Sequence, residues 1–395
     1  MFQRSNEKNR PIELKGASGS RLYPLDALRG FAAMVVVIYH FTATIPRSAL
    51  PEMLIYLVPH LNFLHRLFYD GVYMVLLFFA LSGFVFCYVY RRRIQSERMH
   101  FEAYAIARVS RLLPLAWLLI LATLGIRIYF LVQVNHPLPS IYDIFSNAFF
   151  MTRVVTDGGQ ALLGPLWSLT PEVFAYILFF LVMSKWARTR TETIMLPIFI
   201  VIVGLAIGSS FGTWGQWDYK YSIFNQLFIT VLPCFFGGVL TCMAWQWMKR
   251  RSKKIQTIGS VTALIVAVYC IYTWLMHPDR VGPDEFVLPC VLFPSLFISV
   301  LMIKPVAVFL SLRFFRWLGD ISYAIYLTHW PILYTINVLN DCESLPTERN
   351  SRIIFYSYLL LVLLISHFLH YRFEKPMQAK IRSEYALYRK RHPFT

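Results

Sequence analysis

Ten long apolar stretches constrain the fold of this chain more than any other feature of its sequence. A helix that crosses the hydrocarbon core of a bilayer needs about 20 mostly apolar residues. Of the 395 residues, 57% are hydrophobic and 15% are charged, whereas soluble domains average about 45–50% apolar and about 25% charged residues. This composition excludes a water-soluble enzyme, a disordered chain and a small disulfide-rich secreted module. The predicted spans are residues 27–45, 70–90, 112–133, 166–184, 194–212, 222–247, 257–276, 286–302, 318–338 and 353–371.

Basic residues alternate between the two sides of these predicted spans. Thirty Lys and Arg residues fall in the tails and loops of one side and seven in the loops of the other. Cytoplasmic loops carry the excess of Lys and Arg, so both termini are expected in the cytoplasm. The sequence therefore predicts an all-α, polytopic membrane helix bundle of ten transmembrane helices. The net charge of +17 is explained by topology, and we expect no nucleic-acid partner.

The predicted domain organisation is one membrane domain with two short tails. Residues 1–21 form a cytoplasmic N-terminal tail, residues 22–377 the membrane domain and residues 378–395 a basic cytoplasmic C-terminal tail. The run 141–151 is too short to span and carries Asp143 and Asn147, which favours an interfacial or re-entrant helix. The six cysteines lack metal-ligand spacing, so no metal site is expected.

Two ionisable residues share one stripe of the first predicted span. Arg29 opens the span and His40 follows eleven residues later, which is about 20° from whole helical turns and about 16 Å of rise. An ionisable residue within a span is costly and indicates function by default. The alternatives are an interfacial arginine whose charged end reaches the water and a hydrogen-bonded core histidine.

Two further positions combine charge with an apolar helix. Arg108 and Arg111 are three residues apart and so share a helix face, which suits bidentate capture of phosphate; the alternative is a pair of topological anchors. Glu172 follows Pro171 in the first turns of the fourth predicted span. Its carboxylate is expected to orient or charge-stabilise an imidazole, or else to form a salt bridge with Arg127.

The ninth predicted span carries a polar stripe. Ser322, Tyr326 and His329 recur at helical spacing. Such a stripe lines a cavity or forms a polar contact between helices.

These motifs together resemble the acyltransferase family 3 of membrane proteins. The resemblance rests on the run Leu25–Gly30 followed by His40, the Arg108-x-x-Arg111 pair, Leu166-Trp167-Ser168-Leu169 before Glu172, the stretch 318–331, and Phe373-Glu374-Lys375-Pro376. It covers about residues 22–377. Two positions depart from the family pattern, because Val173 replaces a second acidic residue and Leu113 replaces a tyrosine.

The resemblance implies transfer of an acyl group, commonly acetyl, from a cytoplasmic acyl-CoA to a hydroxyl of an extracytoplasmic or lipid-linked saccharide. It also implies a bacterial inner membrane, with membrane lipid as a further partner. Acyl-CoA is then the donor substrate. Arg29, Arg108 and Arg111 are expected to hold its phosphates. The expected substrate contacts are Asp26, Trp167, Ser168, Ser322 and Tyr326.

The catalytic hypothesis assigns one role to each of three residues. His40 acts as general base on the acceptor hydroxyl, Glu172 orients or stabilises its ring, and His329 or a backbone amide stabilises the oxyanion. In a variant, His40 carries the acyl group transiently. The competing classes are a proton-coupled transporter or flippase for a saccharide or lipid, and a structural subunit of an envelope polysaccharide assembly.

Overall fold

The computed structural model describes residues 21–44, 71–130, 138–152, 162–211, 231–276, 288–341 and 347–392. Within these ranges the chain forms helices joined by turns and short irregular segments, and no strand. The first eight helices are α1 (Tyr23–Thr44), α2 (Val72–Val89), α3 (Arg91–Gln95), α4 (Phe101–Tyr129), α5 (Ile141–Ala148), α6 (Leu166–Leu181), α7 (Arg190–Phe211) and α8 (Leu232–Met248). The others are α9 (Lys253–Met276), α10 (Phe293–Met302), α11 (Lys304–Leu310), α12 (Arg313–Asp320), α13 (Ser322–Asp341), α14 (Thr347–Leu369) and α15 (Lys375–Arg391).

Short π-helical segments extend three of these helices. Val182–Trp186 continues α6, Leu288–Leu292 precedes α10, and His370–Glu374 joins α14 to α15. A π turn interrupts the regular hydrogen-bond ladder and is often found near functional sites.

Six described helices are long and apolar enough to cross a membrane. A seventh is reached if the pair Cys290–Met302 and Lys304–Leu310, bent by 92°, counts as one span. The prediction of an all-α bundle is thus confirmed for the described residues, while the number ten stays a prediction. Part of the predicted span 222–247 lies outside the described residues, and so does the N-terminal tail except Arg21.

The predicted span 318–338 is not a single helix. The chain turns at Ile321, so residues 318–320 end the short helix α12 and the membrane-length helix α13 starts at Ser322. Helix α12 packs beside the start of α1, where the guanidinium carbon of Arg316 lies 4.0 Å from the centre of the Tyr23 ring. Helical periodicity did not reveal this break because Leu318, Ile321 and Ile325 keep the spacing of one continuous helix across it.

The outer helices expose apolar rather than polar side chains. Only 17% of the apolar window in Arg190–Ile207 and 22% of that in Lys253–Met276 is buried inside the protein. The short helix α5 buries Asp143, Ser146 and Asn147, while Ile141, Tyr142 and Phe145 are exposed. A helix that lies in lipid is expected to expose its apolar side chains and to bury its polar ones against the protein. Its eight residues are too few to span.

Two glycines let α1 and α12 touch through their backbones. A Cβ atom on Gly30 would lie 2.8 Å from the backbone nitrogen of Gly319, and one on Gly319 would lie 2.4 Å from the carbonyl oxygen of Asp26. Neither position has room for a side chain. This contact sets the relative height of α1 and of α13, which follows α12 directly.

The predicted basic tail is largely helical. Residues 375–391 form α15, which packs along the first turns of α4. The C-terminal segment therefore lies against the helix that carries Arg108 and Arg111.

Candidate active site

A narrow cavity lies between α1, α2, α4, α6 and α13. Its volume is about 80 Å³, which is room for a few water molecules. Seven of the residues that sequence analysis singled out line it together: Arg29, Arg108, Arg111, Ser168, Glu172, Ser322 and Tyr326. Four different helices deliver them, so only the tertiary structure brings them to one place.

Three arginines line one part of this cavity. Arg29 donates to Asp26 Oδ1 at 3.2 Å. Arg108 donates to the Tyr90 hydroxyl, and its guanidinium carbon lies 4.8 Å from the centre of the Phe86 ring. Arg111 has no hydrogen-bond partner within the described ranges. Because the guanidinium of Arg111 is uncommitted and that of Arg108 is held by aromatic groups, the pair retains donors for an anion.

Glu172 faces the arginines rather than the histidines. Its Oε1 accepts from the Ser82 hydroxyl at 2.6 Å and from the Tyr176 hydroxyl at 2.5 Å. The charges of Arg29 and Arg111 act on the same carboxylate. These contacts contain neither His40 nor Arg127, the two partners considered from the sequence. Glu172 is therefore a buried carboxyl group on the arginine side of the cavity.

A hydroxyl pair closes the far end of the cavity. The Ser168 and Tyr326 hydroxyls lie 2.7 Å apart, and Ser168 also donates to the Pro165 carbonyl at 3.0 Å. Ser322 donates to the Gly319 carbonyl at 2.8 Å. Beyond this pair, the Tyr326 and His329 ring centroids are 6.2 Å apart. The polar stripe of α13 therefore runs from the cavity to the histidines.

The two histidines of the catalytic hypothesis lie side by side. The ring centroids of His40 and His329 are 5.0 Å apart. Each histidine follows its contact glycine, Gly30 or Gly319, by ten residues. The backbone contact between α1 and α12 thus brings the two rings to the same height.

Hydrogen bonds indicate which ring nitrogens are available. Nδ1 of His40 lies 3.0 Å from the Val36 carbonyl oxygen, and Nδ1 of His329 lies 3.2 Å from that of Ile325. A carbonyl oxygen only accepts, so the tautomer assigned to each neutral ring carries its proton on Nδ1 and leaves Nε2 as an acceptor. Nε2 of His329 is buried and has no partner among the described residues.

Trp330 is a neighbour of this pair that sequence analysis did not select. Its ring lies edge-on to His40, with centroids 5.6 Å apart. The buried indole Nε1 has no hydrogen-bond partner in the described part of the chain. The indole ring that carries this unpaired N–H group thus neighbours both imidazole rings, with centroids 5.6 Å from His40 and 6.4 Å from His329.

The C-terminal helix adds a fourth arginine near the cavity. Arg382 of α15 donates from Nε to the Ser110 hydroxyl at 3.1 Å, and from Nη2 to the Ala107 carbonyl at 3.4 Å. Ser110 lies between Arg108 and Arg111 in α4, and the charges of both arginines act on Arg382. Sequence reasoning missed Arg382 because nothing local shows that α15 folds back along α4. Tyr176, by contrast, was detectable as the residue one helical turn after Glu172.

The two remaining predicted contacts lie outside the cavity lining. Asp26 accepts from Arg29 and, at 2.6 Å, from Arg21, which also bonds Asp320. Asp26 thereby orients Arg29 and ties α1 to α12. Trp167 is half-buried against the core beside Ser168.

No group of three or more His, Cys, Asp and Glu side chains suited to a metal ion occurs among the residues that the structure describes. In that part of the chain the candidate site consists of arginines, a carboxylate, hydroxyls and imidazoles. Arginines that can bind an anion, close to a pair of imidazoles that can act in acid–base or nucleophilic catalysis, define a candidate enzyme active site.

The family comparison agrees with this class. The family model described as an acyltransferase domain, that of acyltransferase family 3, matches residues 22–371. The chain belongs to this family, which confirms the resemblance inferred from its motifs.

Bacterial acetyltransferases are among its similar proteins. The chain is 24% identical over 390 residues to the "Putative peptidoglycan O-acetyltransferase YrhL" of Bacillus subtilis (strain 168), covering 90% of this chain and 55% of that protein. It is also 24% identical over 378 residues to the "O-acetyltransferase OatA" of Staphylococcus aureus (strain NCTC 8325 / PS 47), covering 90% and 57%. The chain thus spans little more than half the length of these relatives. No solved structure matches it.

Proposed function

We propose that this protein transfers an acyl group, acetyl in the simplest case, from acyl-CoA to a hydroxyl of a saccharide across a bacterial inner membrane. The proposal rests on one observation, a chain of neighbouring polar groups. It begins at the arginines, passes through Ser168 and Tyr326, and ends at His40 and His329. Family membership and the names of the two bacterial relatives support it. The ten-span topology with cytoplasmic termini is part of the proposal, because it turns the arginines toward the compartment that holds acyl-CoA.

The donor binds with its phosphates at the arginines. A cavity of about 80 Å³ does not admit a nucleotide, so the nucleotide stays at the mouth, beside Arg108, Arg111 and Arg382. The thin pantetheine arm enters along Arg29 and Glu172. The thioester then reaches the histidines past the hydroxyl pair of Ser168 and Tyr326, which lines the cavity on the side where Tyr326 neighbours His329.

The transfer step uses the nitrogens that the backbone bonds leave available. His40 Nε2 takes the proton of the acceptor hydroxyl, whose oxygen attacks the thioester carbonyl. A C–O bond forms, the C–S bond breaks, and the proton passes to the departing thiolate. In the acyl-carrier variant, Nε2 itself attacks the thioester, an N–C bond forms, and the C–S bond breaks to release the coenzyme A thiolate. The acceptor hydroxyl then attacks the acyl-imidazole, the N–C bond breaks to return neutral His40, and the hydroxyl proton passes to the thiolate.

The oxyanion requires a donor, and the structure favours Trp330 for this role over His329. A neutral His329 already donates Nδ1–H to Ile325, so it has a donor for the oxyanion only as an imidazolium. The indole N–H of Trp330 is uncommitted beside the same rings. We therefore assign the oxyanion contact to Trp330.

The acceptor is a saccharide on the far side of the membrane. We propose peptidoglycan as the acceptor class for this chain, because the name of the Bacillus subtilis relative contains that polymer.

The test compares acyl groups on the surface glycans of a host that lacks the gene and is complemented with the wild-type chain or with His40→Ala. Mass spectrometry should show one acyl group that disappears in the deletion strain and returns only with the wild type. An unchanged acyl profile together with a failed export of a glycan or lipid would instead establish the transporter class. Equal restoration by both chains would overturn the role of His40.

A further inference from the structure

A second cavity, away from the histidines, lies at the ends of α2 and α8. Its volume is about 310 Å³, and it is lined by Cys87, Tyr88, Arg92, Trp245, Gln246, Lys249 and Arg250. We call this cavity the basic groove. None of the proposed acyl-transfer residues lines the basic groove, so it is a site distinct from the candidate active site.

The basic groove exists because α2 and α8 run parallel in close contact. A Cβ atom on Gly83 would lie 1.8 Å from the Phe235 carbonyl oxygen, and one on Gly238 would lie 1.9 Å from that of Ala80. Further along, Arg91 donates to the Gln246 side chain at 2.9 Å, which keeps the same register. Both helices therefore end at one level, and both continue into cationic residues.

The charge of the basic groove has one sign. Arg92, Lys249 and Arg250 are exposed, and the groove lining contains no carboxylate. Neither Arg92 nor Arg250 forms an ion pair within the described residues, and the Lys249 ammonium lies 4.3 Å from the centre of the Trp245 ring. Three cations facing one groove attract an anion.

Trp245 supplies an independent sign of a ligand. It is 3% exposed, and its ring packs against Phe84 and Tyr88 with centroids 5.7 and 5.8 Å away. Its buried Nε1–H has no hydrogen-bond partner in the described part of the chain. A buried donor without an acceptor is costly, and an oxygen atom of a ligand in the groove would remove that cost.

We propose that the basic groove binds the headgroup of an anionic phospholipid. The groove lies at the ends of two apolar helices of 18 and 17 residues, and indole and phenol rings such as those of Trp245 and Tyr88 are characteristic of the interface between lipid and water. Basic pockets between helices at this depth hold anionic headgroups. Arg92, Lys249 and Arg250 contact the phosphate, and Trp245 donates to a phosphate or ester oxygen. The site is independent of acyl transfer.

Native mass spectrometry of the full-length chain, stripped of lipid in detergent, tests the proposal. Phosphatidylglycerol, phosphatidylcholine and inorganic phosphate are titrated separately. One phosphatidylglycerol should bind tightly and phosphatidylcholine at least about tenfold more weakly, with no competition from millimolar inorganic phosphate, because the acyl chains add apolar binding. Equal binding of both lipids, or displacement by inorganic phosphate, overturns the lipid assignment. Coenzyme A is added last, as a competitor of bound phosphatidylglycerol. If coenzyme A displaces the lipid, the lipid assignment is overturned as well, and the groove is a nucleotide site.

Two variants and one matched control locate the site. Arg92→Gln/Lys249→Gln/Arg250→Gln should weaken phosphatidylglycerol binding about 100-fold, on the scale of about tenfold or less per cation. Trp245→Phe keeps the ring but removes the N–H, and should weaken binding about fivefold. The control Lys253→Gln/Lys254→Gln/Lys304→Gln removes the same charge from exposed positions outside the groove and should bind normally.

The variants also separate binding from folding. The thermal midpoint of each is measured in detergent without lipid, and Trp245→Phe alone carries the test if the triple variant does not fold. Normal lipid binding by Trp245→Phe and the triple variant, or an equal loss in the control, would contradict the proposal.

Discussion

His40 and His329 lie with their ring centroids 5.0 Å apart, although 289 positions separate them along the chain. Both use Nδ1 to bond the backbone carbonyl four residues earlier in their own helix. The neutral pair therefore presents two Nε2 acceptors in one place. A proton taken by one ring has a second ring beside it, which suits a site that must accept a proton and then release it.

The first prediction concerns this pair. His40→Ala should lower acyl transfer by about 10²–10⁴-fold, the usual contribution of a general base, and by at least as much if His40 carries the acyl group. Rates are measured with labelled acyl-CoA and the purified chain in lipid nanodiscs. His367→Ala serves as the control, because His367 accepts from Trp317 away from the site. Transfer within about twofold of wild type in His40→Ala would rule out both versions of the mechanism.

The second prediction concerns Arg111. A ligand at 100 times its dissociation constant stabilises a protein by about 2.7 kcal/mol. Wild type should therefore melt at a higher temperature with acyl-CoA, and Arg111→Ala should show little or no increase. Arg93→Ala removes a basic residue outside the cavity lining and should keep the full shift. A normal ligand-induced shift in Arg111→Ala would place the donor elsewhere.

Arg382 leads to a third prediction. Because it reaches the Arg108–Arg111 face from α15, Arg382→Ala should raise the KM for acyl-CoA about tenfold, on the scale of one charged hydrogen bond, with kcat nearly unchanged. Steady-state kinetics at saturating acceptor measure both constants. Lys380→Ala, an exposed neighbour on the same helix, should leave them as in wild type. A loss confined to thermal stability would make Arg382 a purely structural clamp.

Glu172 gives a stability prediction. In Glu172→Gln the amide oxygen still accepts from Ser82 and Tyr176, whereas in Glu172→Ala both hydroxyls lose their acceptor. An unsatisfied buried polar group costs about 1–3 kcal/mol, so Glu172→Ala should melt below Glu172→Gln, and both below wild type. Thermal unfolding in one detergent provides the comparison. Equal midpoints for the two variants would mean that these bonds contribute nothing measurable.

The fifth prediction separates chemistry from binding at Trp330. Trp330→Phe keeps an aromatic ring beside His40 and removes the N–H, so kcat should fall about 10²–10³-fold with little change in KM. Trp247→Phe, at a half-exposed position outside both cavities, provides the matched control. An unchanged kcat in Trp330→Phe would return the oxyanion role to a backbone amide or to protonated His329.

Local sequence signals were enough for the helical class and for most of the site. Apolar length predicted helices of membrane type, and helical spacing placed Ser322, Tyr326 and His329 on one stripe, which the structure reproduces. Both signals depend on residues a few turns apart, so they can be detected without knowing the packing.

Contacts between segments that are distant in the sequence could not be predicted from apolar length and helical spacing. The break at Ile321 lies where Leu318, Ile321 and Ile325 keep the spacing of one continuous helix. The hydrogen bond between Ser82 and Glu172 joins two helices, and nothing in their sequences indicates that they pack together. Arg382 is similar, because only the fold of α15 along α4 brings it beside Arg108 and Arg111.

Sequence was enough to assign this chain to acyltransferase family 3 as an all-helical membrane protein and to select the arginines, the carboxylate and the histidines as candidate groups. How these groups are arranged in space follows only from the packing of the helices. This packing placed Glu172 with the arginines and His40 with His329, because the backbone contact at Gly30 and Gly319 sets the two helices in register. The spacing of apolar and polar residues is a property of one helix at a time. The geometry of a catalytic site depends instead on the height and rotation of several helices relative to one another, and these are fixed by side-chain packing between the helices.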